Sequence, residues 1–94
     1  MKHGREPAEA LARDVLVWIL GQEDVLPQFL TAGGLSPDEL RARIDDPAFL
    51  AAVLDFLLTD DALIRGFCDA EGLGYDRPLA ARRLLPGGAS FDWG

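Results

Sequence analysis

The chain has 94 residues, room for one domain around a single modest core. Its 16 acidic residues against nine basic ones leave a net charge of −7, which argues against nucleic-acid binding, where clustered Lys and Arg must neutralise phosphates. Hydrophobic residues at 49% and charged ones at 27% are ordinary for a globular domain, and a single cysteine, Cys68, rules out an internal disulfide and suits a reducing compartment.

Six helices are legible in order. The first is expected from Pro7 to Leu20, with Leu11, Val15, Trp18 and Ile19 on one face and Gly21 as its stop. A shorter one follows from Glu23 to Ala32, with Val25, Leu26, Phe29 and Leu30 inward and Gly33-Gly34 closing it through a left-handed residue. Ser36-Pro37-Asp38-Glu39 opens the third: Ser36 as cap, Pro37 in the first turn, Glu39 completing a capping box. Leu40 and Ile44 are its inward residues.

The fourth starts at Asp46-Pro47 and is apolar nearly all round from Phe49 to Leu58, the pattern of a central helix buried by its neighbours. Ala52, Asp55 and Thr59 leave it one narrow polar stripe. Thr59 or Asp60 caps the fifth, whose core face is Leu63, Ile64, Phe67 and Cys68 and whose end is Gly72. The sixth is weaker: Asp76 as cap, Pro78 in the first turn, Leu79, Leu84 and Leu85 as its apolar positions, and Pro86-Gly87-Gly88 as terminator.

No strand pattern occurs, so the fold class is all-α, a compact bundle of about six short helices. Residues 1–6 read as a flexible N-terminus, 7–86 as the helical domain and 87–94 as a C-terminal tail.

The second half of the domain repeats the first. Sliding the sequence by 38 positions aligns 11–42 with 49–80, and nine of the 32 pairs are identical: Val15/Val53, Leu16/Leu54, Leu20/Leu58, Phe29/Phe67, Ala32/Ala70, Gly34/Gly72, Leu35/Leu73, Asp38/Asp76 and Ala42/Ala80. Trp18 aligns with Phe56, and two such aromatics could face each other across a pseudo-dyad. These are packing anchors and chain-turning glycines, so the repeat encodes architecture: two three-helix halves about an approximate two-fold axis. A period met only twice cannot build a solenoid. The expected structural core is Trp18, Phe29, Leu54, Phe56 and Phe67.

Chemistry is sparse. Asp45-Asp46 and Asp60-Asp61 stand at helix starts, where carboxylates cap free N–H groups, and neighbours in sequence do not converge from a helix. His3 is the only histidine; with one cysteine it cannot complete a metal site or a catalytic triad. Gly33-Gly34 follows a helix and lacks the lysine of a phosphate loop. The reading is therefore not an enzyme, with no catalytic residue, no metal and no cofactor.

The first twenty residues carry Arg5, Glu6, Glu9, Arg13 and Asp14, unlike a signal peptide, and the longest apolar run is too short to span a bilayer. The expectation is a cytoplasmic protein without membrane or nucleic-acid partners.

Two groups remain. Arg41, Arg43, Arg82 and Arg83 lie near helix C-termini, where they complement the dipole, or they form a spot for an acidic partner. Phe91-Asp92-Trp93 follows the Pro-Gly-Gly hinge and either folds back to plug the bundle or anchors a partner. Arg82, Arg83, Phe91 and Trp93 are the partner-binding candidates.

The run from Pro47 to Leu58, the Phe67-Cys68 pair and Leu85-Pro86-Gly87-Gly88 resemble the DUF3572 family of uncharacterised small helical proteins of alphaproteobacteria. Trp18 and the stretch from Phe29-Leu30 to Gly34-Leu35 extend the resemblance over nearly the whole chain. It implies a small helical protein and brings no activity, cofactor or site residue with it. By subtraction the leading functional expectation is a small acidic protein-interaction module, binding another protein or itself. The alternative is a regulatory helical domain that holds a small molecule between helices.

Overall fold

In the computed structural model, residues 5–85 are described. They form six helices and no strand: α1 (Arg5–Leu20), α2 (Val25–Gly33), α3 (Pro37–Arg43), α4 (Pro47–Leu57), α5 (Asp61–Glu71) and α6 (Arg77–Arg83). The radius of gyration is 12.2 Å, close to that of a compact domain of this length. The expected flexible N-terminus and the tail at 87–94 fall largely or wholly outside the described residues.

Two helices make the centre. α1 packs directly on α4, α6 lies against both, α2 is tied to α1, and α5 to α4. The all-round apolar sequence of α4 has the consequence expected of it: Phe49, Leu50, Val53, Leu54, Phe56 and Leu57 are all buried. Ala51 and Ala52 are buried too, so Ala52 belongs to the packed surface, outside any polar stripe. α1 contributes Ala8, Leu11, Ala12, Val15, Leu16 and Ile19. Its alanines let the helix axes approach, and each large side chain removed from water contributes about 1.5–3 kcal/mol. α2 adds Phe29, α3 adds Leu40, and α5 adds Phe67 and Cys68.

Helix ends follow the local chemistry in most places. Ser36 and Glu39 form the capping box, Ser36 Oγ accepting from Glu39 N–H at 3.3 Å and Glu39 Oε1 accepting from Ser36 N–H at 2.9 Å. Asp46 Oδ1 accepts from the Ala48 N–H at 3.0 Å and Asp60 Oδ1 from the Ala62 N–H at 2.9 Å. Thr59, the other candidate cap of α5, instead donates its hydroxyl back to the Phe56 carbonyl at 2.7 Å. Gly34 and Gly72 close α2 and α5 in the left-handed region, at φ 64° and 70°. In each case the next residue's N–H returns to the helix, Leu35 to Leu30 and Leu73 to Cys68, both at 2.9 Å.

Three expectations need correction. α1 begins at Arg5, which places Pro7 third in the helix, still within the first turn where its missing N–H is harmless. α2 begins at Val25, because Glu23 and Asp24 form a turn; Asp24 makes no side-chain cap. The largest concerns α6. Leu79 and Leu84 are 44% and 51% exposed, and the buried residues are Pro78, Ala81 and Leu85. The groove between two larger helices takes in Pro78, Ala81 and Leu85 and leaves Leu79 and Leu84 turned out.

The aromatics interlock between halves. Trp18 on α1 meets Phe67 on α5 edge to face, with ring centroids 6.1 Å apart. Phe56 on α4 meets Phe29 on α2 in the same manner at 5.1 Å, and Phe29 also meets Phe49. The two aligned aromatics thus each have a phenylalanine of the opposite half as ring partner. Trp18 is bulkier than Phe56, and the helix opposite makes room for it. A methyl group at Gly66 would stand 3.0 Å from Cζ2 and 3.3 Å from Cη2 of the indole, closer than a relaxed contact. Residue 28, which aligns with Gly66, is a glutamine.

Candidate functional site

Of the residues singled out in the sequence, Phe29, Leu54, Phe56 and Phe67 lie in the core, and Trp18 is half-buried against it. The partner-binding candidates separate. Arg82 is taken up by the fold: its Nε donates to Asp55 Oδ1 of α4 at 2.6 Å, with both side chains mostly covered. Its Nη1 also donates to the Leu85 carbonyl at 3.3 Å. Arg83, one position on, is exposed. Phe91 and Trp93 lie outside the described residues, as does His3. Arg41 makes a long, exposed contact with Asp38 at 3.7 Å, and Arg13 one with Asp45 at 3.5 Å; exposed pairs of this kind contribute little.

Two described groups have a reactivity set by their surroundings, Cys68 and Tyr75. Cys68 is buried, its sulfur 3.5 Å from the Gly74 carbonyl. Burial first, then the carboxylates of Asp69 and Asp76, push its thiol above the ordinary range, which leaves it a poor nucleophile. Tyr75 donates its hydroxyl to Asp69 Oδ1 at 2.7 Å, and that bond, followed by desolvation, raises the phenol. Among the described residues no group of three His, Cys, Asp or Glu is arranged to hold a metal ion. No described helix is long and apolar enough to cross a membrane.

Among the described residues, two of the shallow hollows that open to solvent stand out. One, of about 220 Å³, lies by Asp61, Ile64, Arg65 and Tyr75. The other, of about 110 Å³, runs between the start of α1 (Pro7, Ala8, Leu11) and α6 (Arg77, Ala80, Ala81, Leu84). The angular positions on α6 separate three faces at 100° per residue. Pro78, Ala81, Arg82 and Leu85 point inward, Arg77, Ala80 and Leu84 border the hollow, and Leu79 with Arg83 project outward one turn apart. Sequence reasoning missed Arg77 and the outward leucines. The signal available was the placement of small residues at 78 and 81, which marks the side that packs closely.

A family model for a protein of unknown function, DUF3572, matches residues 5–88, which takes in the whole of this helical unit. The chain belongs to the DUF3572 family. No curated protein and no solved structure matches it significantly. The DUF3572 match runs through α6 to Gly88, so the hollow and both exposed faces of α6 fall within the family's extent.

Proposed function

We propose that the chain is a non-catalytic protein-interaction module, acidic and cytoplasmic, whose contact face is the outward side of α6. The observation that carries this reading is the pair Leu79 and Arg83, an exposed leucine one turn from an exposed arginine, on a helix fixed to the core by its opposite side. Apolar side chains scattered singly on a surface need no explanation. Here the leucine is joined by a cation on a rigid seven-residue element, the chemistry of a small recognition patch for an apolar residue flanked by a carboxylate.

The frame for that patch is two three-helix halves about an approximate two-fold axis. Three observations support the axis. The glycine closures after α2 and α5 share one geometry, the identities recur at a constant offset of 38, and the ring pairs are reciprocal. Shifting Trp18 and Phe67 by that offset exchanges them for Phe56 and Phe29.

The test is site-specific photo-crosslinking in cells. A photoreactive residue in place of Leu79 should give a discrete adduct, absent when the probe replaces the exposed Thr31 of α2 and lost on adding Arg83→Glu. Adduct from Leu79 no stronger than from Thr31 would sink the reading. An adduct with the mass of two chains would make the partner a second copy.

A further inference from the structure

We propose that the hollow between the start of α1 and α6 is the docking site for the chain's own segment Phe91-Asp92-Trp93. Three observations select this occupant. The walls are apolar on both sides, with Pro7, Ala8 and Leu11 facing Ala80, Ala81 and the half-exposed Leu84. An enclosed apolar cavity of about 150 Å³ holds a benzene ring. A hollow of about 110 Å³ open on one side takes one aromatic ring with its edge in solvent.

Charge is the second. Arg77 stands at the rim and has no carboxylate within ion-pair distance among the described residues. Asp92 lies between the two aromatics, so a segment that seats a ring beside Leu84 brings its carboxylate towards that cation.

Reach is the third. Leu85, the last described residue, is buried next to the hollow, so the chain leaves the bundle beside the proposed site. Pro86-Gly87-Gly88 has the residues of a tight reversal, proline at the second turn position and glycine at the third. Beyond it, five residues from Ala89 to Trp93 span about 16 Å when extended. Travelling back along α6 from Leu84 to Arg77 takes about 10 Å. The segment therefore reaches the full length of the hollow, far enough for the Trp93 ring to be the one that enters.

The chain has two tryptophans, so the test is nuclear magnetic resonance on the full chain, with the indole signals of Trp18 and Trp93 told apart by W93F. Docking predicts nuclear Overhauser contacts from the Trp93 ring to the methyl groups of Leu11 and Leu84. Leu84→Asp and Arg77→Glu should each move the Trp93 indole signal to its unstructured position and leave that of Trp18 in place, which reports that the bundle stays folded. Adding Asp92→Arg to Arg77→Glu should move it back. A wild-type Trp93 signal without helix contacts, or one indifferent to both variants, overturns the proposal. So does a mixed-label sample in which the contacts arise between two chains. The result is independent of the Leu79 and Arg83 face, which lies on another side of α6.

Discussion

α3 and α6 are short helices that begin alike in sequence, yet different forces hold them. Each has seven residues, each has a proline in its first turn, and each follows a helix closed by a left-handed glycine. α3 carries its own stabilisation: a complete capping box at its start, Arg41 and Arg43 in its last turn, and only Leu40 buried. α6 has no side-chain cap, since Asp76 sits in the helical region with its carboxylate unused by the first turn. Instead it is wedged on α1 and α4 by Pro78, Ala81 and Leu85 and pinned by Arg82 to Asp55. Neither would persist alone, because a helix this short does not repay its nucleation in water. One is held mainly by local bonds, the other by tertiary ones.

The largest expected effect breaks the tertiary side. Asp55→Ala removes the carboxylate that meets Arg82 and leaves a mostly covered guanidinium with only the Leu85 carbonyl. A full burial would cost more, but both side chains keep some solvent, so about 2 kcal/mol is expected. Chemical denaturation would read that loss. Hydrogen exchange should show α6 opening first while α3 keeps its protection. Equal loss of protection in both helices would mean that Asp55 supports α4 generally and that α6 has no separate dependence on it.

Next come the two glycines that deliver the chain to α3 and α6. Both have positive φ, and a side chain at either would meet nothing within 4 Å, so the cost of Gly34→Val or Gly72→Val is backbone strain alone. Each should destabilise by about 1–2 kcal/mol, and by nearly the same amount. A markedly larger cost at Gly72 would show that the entry angle into α6 matters more than that into α3, in keeping with its tighter packing. No cost at either would remove the argument for their left-handed role.

How much of this could be read in the sequence follows the same division. Caps, proline starts and glycine stops act over three or four residues, so Ser36, Glu39, Asp46, Asp60, Gly34 and Gly72 announce their roles without any fold. The all-round apolar α4 likewise declares its central place. The inward face of α6 is a different matter. Pro78, Leu79, Ala80, Ala81, Leu84 and Leu85 put apolar groups at nearly every angle, and the choice among them is made by the groove that α1 and α4 present. Arg82 and Arg83 are equivalent in sequence for the same reason, and only the position of Asp55, 27 residues away, tells them apart. The candidate site was therefore legible as a helix but not as a surface.

On the local side, Ser36→Ala removes the oxygen that accepts from the Glu39 N–H and should cost about 1 kcal/mol. α3 should lose exchange protection while α6 is unaffected, the mirror image of Asp55→Ala. Combining the two substitutions should give additive losses, since the pairs share no residue and belong to different helices.

The smallest effect is a matter of pH and concerns the other half of the capping box. The backbone N–H of Ser36, and after it the Ser36 hydroxyl, hold the Glu39 carboxyl below its usual range, with Arg43 assisting and slight desolvation opposing. A carboxyl lowered in the folded state contributes its stability above its unfolded pKa and loses it as pH falls through the folded one. Acidification should therefore loosen the start of α3 below the ordinary glutamate range. Exchange rates at Ser36 and Glu39 followed down the pH scale would show it. Glu39→Gln keeps the acceptor of a capping box and cannot titrate, so its α3 should have a flat response. If α3 of that variant still loosened at the same pH, the acid sensitivity would belong to another carboxylate, and the capping box would be holding α3 by geometry rather than by charge.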